Sequence, residues 1–135
     1  MAIKWIAGDA FDARALADAA RGSDVIVNAL TPPYSQWRRD LPRLTANVIG
    51  AAKSSGATVI IPGNVFHYGA QMPARLAENS PTAPTTRKGC LRAEIERAYA
   101  DAEGVRTIIL RAGNFIERQK TGNWFDSYIA TDVAK

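Results

Sequence analysis

The chain has 135 residues, of which 47% are hydrophobic and 22% charged, with a net charge of +4 and a single cysteine. This is the composition of one globular domain able to bury roughly two-thirds of its unfolded surface, and it excludes a low-complexity chain and an internal disulfide. No stretch approaches the roughly 20 apolar residues that span a bilayer, and the basic residues are scattered, the tightest groups being Arg38-Arg39, Arg87-Lys88 and Arg118 to Lys120, so neither a membrane nor a nucleic-acid partner is expected.

Four apolar runs, Ile3 to Ala7, Val25 to Ala29, Thr58 to Ile61 and Thr107 to Leu110, alternate with helical patterns. That alternation predicts an α/β fold with a parallel sheet of about four strands and flanking helices. After the first run Gly8-Asp9 breaks the pattern. Asp12 is placed to cap a helix from Ala13 to Arg21, which turns Leu16, Ala17 and Ala20 to one face until Gly22 stops it. Val25-Ile26-Val27 is apolar on both faces, as a central parallel strand requires. Thr31-Pro32-Pro33-Tyr34 then makes a loop at the strand's carboxyl end, where open α/β sheets bind ligands.

The second helix is predicted from near Asp40 to Gly56, with Pro42 in its first turn and Leu41, Leu44, Val48, Ile49 and Ala52 at helical spacing. The third run ends at Pro62-Gly63-Asn64, and an irregular segment extends from there to Pro84. A loop of that length inside a compact domain is usually functional. Thr85 or Thr86 is expected to cap the third helix, with Leu91, Ile95, Ala98 and Ala102 as its buried stripe and Gly104 at its stop. After the run Thr107 to Leu110, Asn123 is expected to cap a last amphipathic helix carrying Trp124, Phe125, Tyr128, Ile129 and Val133.

Gly8-Asp9, Asp24 to Ala29, Asn47-Val48-Ile49-Gly50, Pro62 to Gly69 and Arg111-Ala112-Gly113-Asn114-Phe115 occur in an order and spacing that resemble the extended short-chain dehydrogenase/reductase family, the NAD-dependent epimerase/dehydratase group. The resemblance runs from Lys4 to Phe125. It implies a single Rossmann-like domain over residues 1–135, NAD or NADP as cofactor and a nucleotide-sugar-like or small carbonyl substrate; the cytoplasmic location is read instead from the single cysteine, which suits a reducing compartment, and from the lack of a spanning or signal-peptide stretch. The resemblance also assigns cofactor contacts to Asp9, Ala10, Ala29, Leu30, Asn47 and Arg92, and substrate contacts to Tyr34, His67 and Asn114.

The departures from the family pattern bear on activity. The catalytic Ser/Thr of the family falls on Asn64, and its Tyr-x-x-x-Lys pair falls on Lys88 and Arg92. An arginine keeps its proton and shuttles it poorly, and a lysine acts as an acid or base only when burial depresses its pKa. Tyr34 and Tyr68 are the alternative tyrosines. The family's first βαβ unit, with its Gly-x-x-Gly-x-x-Gly turn, has no counterpart ahead of Ile3, so the resemblance implies an N-terminally truncated member that binds cofactor weakly or not at all by itself. A non-catalytic dinucleotide-sensing or regulatory domain is the competing reading.

Several residues carry two readings at this point. Arg87, Lys88 and Arg92, in the first turns of a helix, mark either a bound anion or a solvated basic face. Asn64 and Asn114 are either ligand contacts or turn residues, and Asp9 either reads adenine or caps the following helix. His67, the only histidine, has no second histidine or cysteine nearby in sequence, so no metal site is expected; Cys90 reads as an incidental thiol. Finally, strands paired in sequence order by right-handed crossovers place every connecting helix on one side of the sheet. One apolar face is then bare, to be covered by the helix from Asn123 or by a homodimer partner.

Overall fold

Three of the four apolar runs become strands. The computed structural model describes residues 3–113 together with Arg118, and over them the chain folds as α1 (Ala13–Ala20), β1 (Val25–Val27), α2 (Trp37–Ser55), β2 (Thr58–Gly63), α3 (Arg87–Ala100) and β3 (Thr107–Arg111). The strands are parallel in the order β1-β2-β3, with Val27 beside Ile60 and Ile60 beside Ile108. Asn114 and the helix expected from Asn123 lie outside the described residues.

The expected strand from Ile3 to Ala7 does not form. Residues 3–9 have no regular structure and are exposed, Trp5 at 89%. The chain instead turns directly into α1: Asp9 accepts from the Phe11 and Asp12 amides, and Asp12 caps the helix by accepting from the Arg14 and Ala15 amides. Asn47 Nδ2 donates to the Ala10 carbonyl at 2.8 Å, which pins this turn against α2. An apolar run becomes a strand only where another strand meets its amides and carbonyls, and β1, three residues long, offers a short edge for that pairing.

The core lies between the sheet and the helices. Trp37, Leu41, Val48 and Ala52 of α2 pack on Val59 and Ile61 of β2 and on Ile95 and Tyr99 of α3, with Leu16 and Ile26 against them. Each large side chain buried here contributes about 1.5–3 kcal/mol. Helix α2 starts at Trp37, after a 3-10 turn over Tyr34–Gln36, so Pro42 sits in the second turn and not in the first. Pro42 is exposed, and the carbonyl its ring deprives of a partner faces the same solvated side of the helix. At the far end Gly56 donates its N–H to Ala52 and stops the helix.

Helix α3, capped by Thr86 accepting from the Gly89 amide, buries Gly89, Arg92, Ile95, Glu96 and Tyr99. The expected stripe is thus corrected except at Ile95: Ala98 is exposed, and Leu91 and Ala102 are only half-buried. Charged side chains take the inner face because each finds a polar partner there, as described below.

All three helices lie on one side of the sheet. Strand alternation turns Val25, Val27, Ile60, Ile108 and Leu110 to the other side, where Val27 is 63% and Leu110 60% exposed. Among the described residues nothing covers this face. The right-handed crossover rule accounts for it: β1-α2-β2 and β2-α3-β3 have the same hand and share a side.

Candidate functional site

The carboxyl ends of β1 and β2 and the facing sides of α2 and α3 enclose a cavity of about 200 Å³. Its mouth is the loop Asn28 to Thr31; Leu41, Leu44 and Thr45 come from α2, Ile61 and Pro62 from β2, and Arg92, Ile95 and Tyr99 from α3. The loop takes its shape from Asn28, whose backbone N–H continues the ladder to Ile60 and whose Oδ1 accepts from the Leu30 amide. Asn28 Nδ2 donates to the Tyr99 hydroxyl at 2.9 Å, tying the strand end to α3. Burial holds the Tyr99 phenol above its ordinary pKa, against the opposing pull of the Asn28 hydrogen bond, so it remains a neutral hydroxyl.

Behind the cavity lies a polar cluster built by α3, β3 and the turn after β2. Glu96 accepts from Arg111 through both carboxylate oxygens, at 2.9 and 2.7 Å, a bidentate fork between the helix and the last residue of β3. His67 is fully buried, 4.0 Å from Glu96, and neither ring nitrogen has a hydrogen-bond partner among the described residues. Burial lowers its pKa, partly offset by Glu96 and reinforced by Arg111 and Arg92, and the ring is neutral near pH 7. Arg92 is nine-tenths buried; its Nη2 donates to the Pro62 carbonyl at 3.3 Å while Nε has no partner among the described residues. Burial pulls its pKa down and Glu96 pulls it up, but a guanidinium keeps its charge in either case.

The residues singled out from the sequence divide among several places. Ala29, Leu30 and Arg92 meet at the cavity. Asp9, Ala10 and Asn47 meet elsewhere, at the turn into α1, where their polar groups are spent on backbone hydrogen bonds. Asn64 is half-buried, with Oδ1 accepting from the Phe66 amide. Lys88 is exposed and holds its Nζ 4.0 Å from the centre of the Tyr34 ring, which also leans on Trp37. His67 does not line the cavity, and Tyr68 is buried under the Arg111 guanidinium. Asn28, Tyr99, Glu96 and Arg111 were not singled out as site residues. One signal was available for three of the cluster: Arg92, Glu96 and Tyr99 stand at i, i+4 and i+7, a polar stripe on one helical face.

No family model and no curated protein matches the chain. Solved structures do. The chain is similar to UDP-glucose 4-epimerase from Brucella ovis in complex with NAD, at 20% identity and a TM-score of 0.67 over 81% of this chain and 38% of that one. The enzyme WbmG of Bordetella bronchiseptica in complex with NAD and UDP matches at 24% identity and a TM-score of 0.63, over 78% of this chain and 36% of that one. For UDP-N-acetylglucosamine 4-epimerase from Bacillus cereus the values are 15% and 0.66, over 90% of this chain and 50% of that one. The chain has the fold of part of each of these structures. The resemblance read from the sequence is therefore borne out at the level of fold, a partial Rossmann-like sheet, and the chain spans 36–50% of the length of the structures it matches.

Proposed function

We propose that the chain supplies the later part of an NAD(P)-binding Rossmann-like domain, residues 1–135 forming one unit of an atypical epimerase/dehydratase-like protein whose substrate is nucleotide-sugar-like or a small carbonyl compound. The observation that carries this reading is the cavity at the carboxyl ends of β1 and β2, the edge at which sheets of this kind hold nucleotides, with Ala29, Leu30 and Arg92 on its wall. Two of the similar structures hold NAD, which supports the choice of cofactor. The described residues include no glycine-rich turn at a helix N-terminus, so the diphosphate lacks its usual backbone donors and affinity for the dinucleotide is low.

The three positions that match the family's catalytic residues favour a non-catalytic, sensing role over turnover. Asn64 is committed to its own turn, Lys88 is exposed against Tyr34, and Arg92 holds its proton. Nothing in that set relays a proton. No helix among the described residues is long and apolar enough to cross a membrane, and we place the protein in the cytoplasm, with a second copy covering the bare sheet face.

Amide chemical-shift mapping with millimolar NADH and NADPH, alongside the native mass, tests the proposal. Shifts at Asn28 to Thr31 and Arg92 without NADH oxidation are expected, on a species of twice the monomer mass. Saturable micromolar binding by a monomer, or no shift at those amides, sinks it.

A further inference from the structure

The charges around α3 do not balance. Glu96 is engaged at both oxygens by Arg111, and Arg92, although nine-tenths buried, makes no salt bridge among the described residues. Its one protein hydrogen bond among them is long, 3.3 Å to the Pro62 carbonyl, and its buried Nε has no acceptor there. Among the described residues the one carboxylate beside it, Glu96, is shared with Arg111, so two guanidinium groups face a single negative charge, and a water molecule supplies Arg92 an acceptor but no charge. The cavity Arg92 lines is polar where it faces Asn28, Thr31, Thr45 and Tyr99, whose hydroxyl accepts from Asn28. At about 200 Å³ the cavity is smaller than the roughly 300–1,000 Å³ that encloses a drug-sized ligand. It suits one charged group and not a whole dinucleotide.

We infer that the Arg92 cavity is a binding site for a small oxyanion, a phosphate or carboxylate group received by the Arg92 guanidinium with Asn28 and Tyr99 around it. This deepens the reading above and rests on its assignment of the crevice as the ligand site. Guanidinium matches both anions because its fixed fork of N–H donors fits two oxygens of either at once. The anion completes the charge balance that the protein side chains leave open.

The test uses the full chain at constant ionic strength, with sodium chloride replaced stepwise by sodium phosphate in one arm and by sodium acetate in another. The readouts are the thermal midpoint and the Arg92 Nε–H resonance. Saturation at about 1 mM is expected together with a downfield shift of Nε–H. Response to phosphate alone assigns a phosphate ligand, and response to acetate a carboxylate. Arg92→Met should abolish the response while raising the midpoint in chloride, since it removes an uncompensated buried charge. Should that variant not fold, Arg92→Lys, which keeps the charge and loses the fork, should weaken the response at least tenfold. Absence of response to both anions, or a response undiminished in the variants, overturns the assignment. NADH in the same buffer separates the two proposals: shifts at Asn28 to Thr31 with a silent Nε–H overturn the oxyanion site alone, and anion saturation without NADH shifts overturns the dinucleotide reading alone.

Discussion

Replacing Glu96 by glutamine tests whether one carboxylate holds the cluster behind the cavity. The amide keeps the volume and one acceptor oxygen, so Arg111 retains one of its two hydrogen bonds, at 2.9 or 2.7 Å in the parent, and meets an N–H₂ group with the other. A hydrogen bond to a charged group contributes about 1.5–3 kcal/mol, and removing the one countercharge that the described residues place beside Arg92 and Arg111 adds about 1 kcal/mol. Arg111 is 30% exposed and can turn part of its guanidinium to water, which limits the loss. The expected destabilisation is about 3 kcal/mol, or a fall of about 12 °C in the thermal midpoint for a domain of this size. Urea unfolding followed by circular dichroism measures it. The cycle with Arg111→Met should recover at least half of the loss in the double variant, because the uncharged Gln–Met pair leaves no stranded charge at position 111. A change below about 1 kcal/mol in Glu96→Gln, or strict additivity in the cycle, refutes the claim that the fork organises this region.

Two further outcomes follow from the same region. Gly69 has φ +73° and ψ −166°, and a Cβ there collides with the Ala83 carbonyl oxygen; Gly69→Ala should cost more than about 3 kcal/mol, whereas Gly104→Ala, at φ +76° in open space, should cost about 1 kcal/mol by urea unfolding. Equal losses would remove the loop contact from the explanation. The lowered pKa of His67 means that the unfolded chain takes up a proton first as pH falls, so stability is fully present above the unfolded pKa of about 6.5 and declines below it. His67→Phe should flatten the dependence of the urea midpoint between about pH 7.5 and 5.5, and an unchanged slope in that variant would show that another group carries it.

Much of the architecture was legible because it rests on local chemistry. Asp12, Thr86 and Gly56 end their helices by hydrogen bonds made within a few residues, and the runs at Val25, Thr58 and Thr107 have partners on at least one side. The one-sided arrangement of helices was legible too, since chirality alone dictates it. What failed depended on distant partners. The Ile3 to Ala7 run has the pattern of a strand, but pattern does not supply a neighbour, and the chain spends residues 9–12 on a turn instead. The buried face of α3 departs from the hydrophobic stripe its sequence offers, because Arg92 and Glu96 are buried through Pro62 and Arg111, respectively 30 and 15 residues away. Arg92 itself was found by motif spacing, whereas Tyr99 and Asn28, 71 residues apart, meet only in three dimensions.

The segment that follows β2 is fastened at its base. Ala83 N–H donates to the His67 carbonyl at 3.0 Å, Ala70 N–H to Thr85 Oγ1 at 3.1 Å, and Gly69 lies flush on Ala83. Between these ties, Gln71 to Asn79 are exposed. Such a stapled Ω-like excursion separates two evolutionary freedoms: its tip can lengthen, shorten or change chemistry at a closure cost that grows only logarithmically, while the base goes on roofing the histidine and the helix start that flanks the crevice. Diversity among relatives of this chain should accordingly collect at residues 71–79, in view of the solvent, with the knot at Gly69, Ala83 and Thr85 held constant beneath it.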